Sequence, residues 1–290
     1  MDSVPAAFVD ALCCQMEKLE LDELRTVNSF WSSMAYTHYT KRRELLVFLD
    51  VNKEGTEVRM GVTYTDRHIY LPSTLDAKHD RIKGIYVRHY GMNLSENVSF
   101  ERFKKKVFPV LRSMAFGCEL DFESSKPHSE NLTDIIFSGL HDCKQVYMSR
   151  IFTENYGGNC PDFIENQISL GRVKALSLRG DRWPDTIQAS LESFMKSARF
   201  ESLDLSGSNL TLDFDTASNF VNRFLTGVGV RNLKGKPSFT LSWLRGLYKK
   251  QQDTMNAWNR YNTLAIWRAP NGRGLEANRT FDGEIEFTAY

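Results

Sequence analysis

The chain has 290 residues, 41% hydrophobic and 25% charged, and its 37 basic against 36 acidic side chains leave a net charge of +1. That is apolar material for one large domain or two ordinary ones, and the near-zero charge gives no global field for nucleic acid or an acidic membrane. No run of about 18 apolar residues occurs, so no segment reads as a membrane span.

Charge is unevenly spread: residues 1–40 carry six acids against Lys18 and Arg25, whereas residues 228–290 carry ten basic residues against five acids. The start, Met1-Asp2-Ser3-Val4-Pro5, lacks the basic and apolar run of a secretory signal. The five cysteines, at 13, 14, 118, 143 and 160, contain no CxxC pair. The expectation is reduced thiols in cytoplasm or nucleus. Without a signal, the sequons at Asn93, Asn97, Asn131, Asn209 and Asn278 are expected to stay unglycosylated.

In chain order, Phe8, Leu12 and Met16 recur at four-residue spacing, then Leu21, Leu24, Val27 and Trp31 at three and four, which predicts short helices over residues 4–42. LLVFLDV (45–51) and EVRMGVTY (57–64), separated by Asn52-Lys53-Glu54-Gly55, predict a β-hairpin. From residue 82 short apolar pairs recur: Ile85/Val87, Leu120/Phe122, Val146/Met148, Leu176/Leu178 and Leu203/Leu205, at intervals of 35, 26, 30 and 27. Helical stretches follow them at 100–114, 131–140, 161–170, 186–198 and 214–226, with Pro161 and Pro184 near helix starts. A β-α unit of this size cannot bury its own apolar face and must stack on its neighbours. Residues 228–290 break the period; Trp243, Trp258 and Trp267, with TLAIWR (263–268) and EIEFTAY (284–290), suggest a capping piece. The expected organisation is a helical module over 1–44, a hairpin and connector over 45–81, β-α repeats over 82–227 and a carboxy-terminal cap over 228–290.

The fold class expected is therefore α/β. VKALSLRG (173–180) and FESLDLSG (200–207) resemble the strand segments of leucine-rich repeats of the longer, helical kind. That resemblance implies a solenoid; a three-layer α/β domain fits the same alternation. The family pattern places an Asn after each strand, and Asn209 alone is roughly placed for it. Because successive strand residues point to opposite faces, Tyr86, Arg88, Glu119, Asp121, Tyr147, Ser177, Arg179 and Asp204 should form an open recognition surface. Its mixed charge suits a protein partner better than nucleic acid.

Residues 4–31, VPAAFVDALCCQMEKLELDELRTVNSFW, resemble an F-box. With no gap, Val4-Pro5 falls on the family's Leu-Pro, Phe8 on the next Leu, Leu12 on Ile, Met16 on the following Leu, Leu21 on the Leu of Asp-Leu, Leu24 on the next Leu, Val27 on Val and Trp31 on the closing Trp. Val4, Ala7 and Cys13 depart from the pattern, replacing Leu, a common Glu and Leu. With Met34-Ala35, His38-Tyr39 and Lys41-Arg42, the start is similar to the expanded F-box-like families of nematodes. The resemblance implies docking of a Skp-type adaptor that bridges to a cullin ubiquitin ligase, with the repeats holding a protein substrate. Short amphipathic helices offering i/i+3/i+4/i+7 anchors suit such a groove. The same side chains could instead pack a cap on the solenoid.

Signals for chemistry are weak. The six histidines form no HExxH and no His/Cys cluster at metal spacing. Gly227-Val-Gly229 with Lys234-Gly235-Lys236 has the wrong spacing for a phosphate loop, and Pro237 stands where Ser or Thr should follow. Lys104-Lys105-Lys106 reads as a solvated helix face, and Arg179-Gly180-Asp181 as a turn. No catalytic residue, metal or cofactor is expected.

Overall fold

The computed structural model of the chain describes residues 4–27, 30–52, 54–64, 69–70, 75–88, 96–122, 130–141, 143, 146–248 and 263–290. Two compact units divide it: residues 1–135 with 142–147, and residues 136–141 with 148–290.

The first unit opens with three short helices. Helix α1 (Ala6–Gln15) follows Pro5, whose extended backbone sets the entry. Helix α2 (Lys18–Arg25) begins with a capping box: the Glu17 side chain accepts from the Glu20 amide, and the Glu17 amide donates to the Glu20 carboxylate at 2.8 Å. Helix α3 (Phe30–Lys41) closes the bundle. Val9, Cys13, Leu21 and Ala35 are fully buried between the helices, with Val4, Met16, Leu24, Trp31, Met34 and Tyr39 packed around them. The open carbonyls at the end of α1 are taken by Arg42, which donates to Cys13 O at 2.6 Å and Cys14 O at 3.4 Å. Burial lowers the Arg42 pKa to about 10.

Strands β1 (Arg43–Val51) and β2 (Glu57–Tyr64) form the expected antiparallel hairpin, from Leu45 opposite Tyr64 to Val51 opposite Val58. Asn52 fixes the turn; its side-chain oxygen accepts from the amides of Thr56 (2.8 Å) and Glu57 (3.1 Å). β3 (Ile69–Tyr70) pairs with β2, β4 (Asp80–Val87) runs parallel to β1, and β5 (Glu96–Ser99) pairs with β2. A helical stretch follows: α4 (Phe100–Arg102), a π turn (Phe103–Val107) and α5 (Phe108–Ser113), burying Phe103, Phe108 and Leu111. It carries the 104–106 lysines outward, with Lys105 on Glu101 at 2.8 Å. β6 (Phe116–Phe122) then lies parallel to β4, giving the order β6-β4-β1-β2-β3. At the root of β4, fully buried Asp80 accepts both Arg43 Nε and Nη2 at 2.7 Å.

Helix α6 (Glu130–His141) leads towards β7 (Tyr147–Glu154). In the second unit β7, α7 (Cys160–Ser169), β8 (Ala175–Arg179), α8 (Ile187–Lys196), β9 (Ser202–Asp204), β10 (Thr211–Leu212), α9 (Phe214–Leu225) and β11 (Asn232–Pro237) follow in turn. β7, β8, β9 and β11 are parallel neighbours in chain order, and β10 pairs with the end of β11. After the helical turn Leu241–Tyr248, β12 (Thr263–Arg268), β13 (Gly274–Arg279) and β14 (Ile285–Ala289) add the antiparallel order β11-β14-β13-β12. Helices α7, α8 and α9 each bury one face, as the 3.6-residue period requires. Their rings link to the strands: Phe194 to Phe200 at 5.1 Å, Phe200 to Phe220 at 6.1 Å, Phe220 to Phe287 at 5.8 Å and Phe287 to Trp267 at 6.0 Å. Arg223 of α9 donates to Met195 O (3.2 Å) and Ser197 O (2.9 Å), closing the end of α8.

The chain is thus a mixed α/β protein with mostly parallel strand pairing and interleaved helices. Residues 232–237, the segment tested above as a phosphate loop, are strand. Among the described residues no helix is long and apolar enough to cross a membrane.

Candidate functional site

The nine side chains of the F-box-like pattern divide by direction. Leu21 is fully buried, and Val4, Met16, Leu24 and Trp31 pack on the core of the helical module. Leu21 therefore offers no surface, contrary to the sequence reading, whereas the other four pack on the core and stay partly exposed. Apolar spacing of three and four serves a core and a binding ridge equally well. Pro5, Phe8, Leu12 and Val27 face outward, with Phe8 57%, Leu12 36% and Val27 52% exposed. Phe8 and Leu12 are one turn apart on α1, so they share a face. Leu19, Phe30 and Tyr36 of the same helices are also exposed, and the sequence reading missed them. Their signal was present, since each stands out of phase with the buried positions Leu21 and Ala35. Seven of the exposed or half-exposed apolar and proline side chains thus lie on this helical module: Pro5, Phe8, Leu12, Leu19, Val27, Phe30 and Tyr36.

The strand positions form two groups. In the first unit Phe48 sits opposite Tyr86, and Tyr86 opposite Asp121, so three strands carry one row. The Phe48 and Tyr86 rings stack at 5.3 Å, the Arg88 guanidinium lies 4.9 Å from the Tyr86 ring centre, and Arg88 pairs with Asp121. Glu119 lies opposite Gly84 on the same face. A Cβ on Gly84 would come within 2.5 Å of the Tyr86 ring and push it aside, so glycine there lets the ring lie flat over the strand. The row is half-buried and mixes aromatic with charged groups. Phe48 was missed because it lies in the hairpin, outside the repeated pattern.

In the second unit Ser177 lies between Phe152 and Asp204, and Arg179 is opposite Glu154. Arg179 is exposed and Asp204 half-buried, but Ser177 is only 3% exposed, a short side chain between larger neighbours. It offers no surface, contrary to the sequence reading. Tyr147 is also displaced. Strand β7 pairs with β8 over Arg150–Glu154, with Ile151 and Thr153 beside Leu176 and Leu178. The pair equivalent to Leu176/Leu178 is therefore Ile151/Thr153, not Val146/Met148, and Phe152 takes the position expected for Tyr147. Tyr147 is near Gly117, where a Cβ would lie 3.0 Å from its hydroxyl.

Two asparagines tie consecutive turns. Asn209 accepts from Trp183 N at 3.0 Å and donates to Trp183 O at 2.9 Å. Asn155, which the sequence reading did not single out, donates to Arg182 O and accepts from Gly157 N at 2.8 Å. Each links a β-α turn to its own or the next one through otherwise open backbone groups. Asn209→Ala and Asn155→Ala should each lower unfolding free energy by about 1–2 kcal/mol, read by denaturant titration.

Ionisable groups gather beside α1. His38, fully buried on α3, is hydrogen-bonded through Nε2 to Asp10 at 2.8 Å, and Lys78 lies 2.9 Å from the same oxygen. The His38 and His79 rings are 5.1 Å apart, and His79 pairs with Asp76 at 2.7 Å. Burial lowers the His38 pKa, outweighing the Asp10 carboxylate that raises it; His79 and Arg42 lower it further. The hydrogen bond from His38, followed by that from Lys78, lowers the Asp10 pKa. With its folded pKa below the unfolded one, His38 binds its proton better in the unfolded chain. Its stabilising share is complete above a pH of about 6.5 and is lost as the pH falls below it. Melting temperature should therefore fall on acidification from neutral pH, and His38→Gln should flatten that slope.

No family model, no curated protein and no solved structure matches the chain.

Proposed function

We propose that the chain is a non-catalytic substrate receptor of a Skp–cullin–F-box type ubiquitin ligase. In this reading α1 docks the Skp-type adaptor through Pro5, Phe8 and Leu12, helped by Val27. The observation that carries it is the division of labour in the helical module. Val9, Cys13, Leu21 and Ala35 already supply its core, leaving Phe8 and Leu12 apolar and exposed with no structural task. The β-α region, read as degenerate leucine-rich repeats, would hold the protein substrate. Parallel strands in chain order and the ties from Asn155 and Asn209 support that finer reading. The Phe48–Tyr86–Arg88–Asp121 row is the best candidate contact, since aromatic and arginine side chains dominate protein interfaces. Catalysis would belong to the conjugating enzyme, and the receptor would act by raising local substrate concentration. The reading places it in cytoplasm or nucleus, with no nucleic-acid or membrane partner.

Phe8→Asp/Leu12→Asp tests the docking face. It should weaken adaptor binding roughly a hundredfold or more while changing unfolding free energy by only about 0.5 kcal/mol. Undiminished binding by the folded double variant would remove α1 from the interface. A second reading, a repeat-built interaction module without a ligase role, is favoured by the same asparagine ties. It predicts substrate capture by the strand row and no adaptor complex.

A further inference from the structure

Three helix-to-strand turns of the second unit, residues 169–174, 196–201 and 226–231, and the β12–β13 turn, 269–274, lie at one edge of its sheet. Backbone hydrogen bonds hold them in register. Lys174 N donates to Ser149 O at 2.7 Å, Glu201 N to Lys174 O at 2.8 Å, and Arg231 N to Glu201 O at 2.7 Å. Arg273 reaches the same edge by donating to Val230 O at 3.3 Å. These turns carry six cations, Arg172, Lys174, Lys196, Arg199, Arg231 and Arg273, against one acid, Glu201. From β8 through β9, β11 and β14 to β13 the edge runs about four strand spacings, or about 20 Å. A chain whose net charge is only +1 thus gathers a strongly positive rim at one place.

The charge is accessible and mostly uncompensated. Arg172, Lys196, Arg199 and Arg231 are exposed. Glu201 sits between Lys174 at 4.0 Å and Arg231 at 3.3 Å, so it offsets one cation. Lys196 and Arg199 form no ion pair among the described residues. Lys196, in the last turn of α8, complements that helix's dipole; Arg172, Arg199 and Arg231 lie beyond the helices, where the dipole gives no reason for them. Four of the six cations are arginines, whose planar fork pairs bidentately with carboxylates and phosphates. Single-stranded nucleic acid also needs rings on which successive bases stack. Phe200, the one aromatic residue in these turns, is buried, and Tyr290 at the end of the rim lies over Gly274. The cleft beside the rim, between α8 and α9, has Lys196 and Arg223 at one end but also Glu192, Asp213 and Asp215, so an anion gains most along the rim itself. We propose that this rim binds an acidic segment, a run of Asp and Glu side chains, of a protein partner. The proposal rests on the β-α region being the part that holds a partner, as read above, and not on docking of an adaptor by α1.

Fluorescence anisotropy of the full chain with a labelled alternating Asp-Glu peptide gives the test. A peptide of about twelve residues, at about 3.4 Å per residue, is long enough to span the rim. It should bind at low salt and weaken about tenfold or more when the salt is raised to about 0.3 M. Lys196→Glu/Arg199→Glu should weaken binding about tenfold or more. Lys104→Glu/Lys106→Glu makes the same charge change on an exposed helix face of the first unit and should alter binding by less than about twofold. All four side chains are exposed, so both double variants should melt close to the wild type. Equal losses in the two doubles would reduce the binding to overall charge and overturn the site. A folded wild-type chain that does not bind the peptide would overturn it as well. So would an oligothymidylate of similar length that binds as tightly and loses as much in the rim variant, since the rim would then be a phosphate surface. Adaptor docking is read by its own titration, so failure of the rim and failure of the ligase reading are told apart.

Discussion

Asp80→Ala should cost about 3–5 kcal/mol of unfolding free energy, among the largest losses available to a polar substitution here. Asp80 is fully buried at the start of β4, directly opposite Arg43 of β1. Its two oxygens accept Nε and Nη2 of Arg43 at 2.7 Å, and Oδ2 also accepts the amide of Asp76 at 2.6 Å. Alanine removes the charge that makes the half-buried guanidinium tolerable and strips the 76–80 turn of its acceptor. Asp80→Asn keeps the shape and part of the hydrogen bonding, so it should cost less, about 1–3 kcal/mol. Denaturant unfolding of both variants gives the comparison. Equal small losses, below about 1 kcal/mol, would mean that the pair is solvent-compensated.

Phe220→Ala should cost about 3–5 kcal/mol through the cavity it leaves. The ring is fully buried on α9 between Phe200 at 6.1 Å and Phe287 at 5.8 Å. It therefore joins the helix layer of the second unit to β14 and the segment before β9. Close-packed rings relax poorly into a neighbour's space, so little of the cavity should collapse. Phe281→Ala is the contrast: that side chain is 100% exposed in the turn between β13 and β14, and its loss should change stability by only about 0.5 kcal/mol. A Phe220→Ala loss as small as that of Phe281→Ala would show that the ring chain does not hold the unit together.

Much of the architecture was legible because the helices are amphipathic and short. The expected helix over 186–198 is Ile187–Lys196, which buries Ile187, Leu191, Phe194 and Met195 along one face. The same holds for α7 and α9. Strand β7 was misread because its buried row contains Thr153, whose hydroxyl donates to Glu154 O at 2.8 Å and so tolerates burial. An apolar-x-apolar search cannot see such a residue. Strands β11 and β13 escaped notice for a related reason. β11 has one large buried apolar side chain, Leu233, and β13 opens on Gly274, over which the Tyr290 ring lies.

The candidate sites show the same limit. Spacing along α1, α2 and α3 identified apolar residues but not their direction, so Leu21 and Trp31 fell in one set with Phe8 and Leu12. The hydrogen-bonded pair of Asp10 and His38 joins two helices across a sequence separation of 28. No local motif spans that distance. The strand row containing Phe48 required the parallel pairing of β1 with β4, which passes over the whole intervening hairpin.

The central claim is that the exposed face of α1 is an adaptor-docking surface. Its most direct test is calorimetric titration of the full chain with a purified Skp-type adaptor, beside the same titration of Phe8→Asp/Leu12→Asp. The account predicts a one-to-one complex for the wild-type chain that the double variant loses while remaining folded. A folded wild-type chain that releases no heat and forms no complex on size exclusion would contradict it, leaving a strand-built binding protein whose helical module serves another partner.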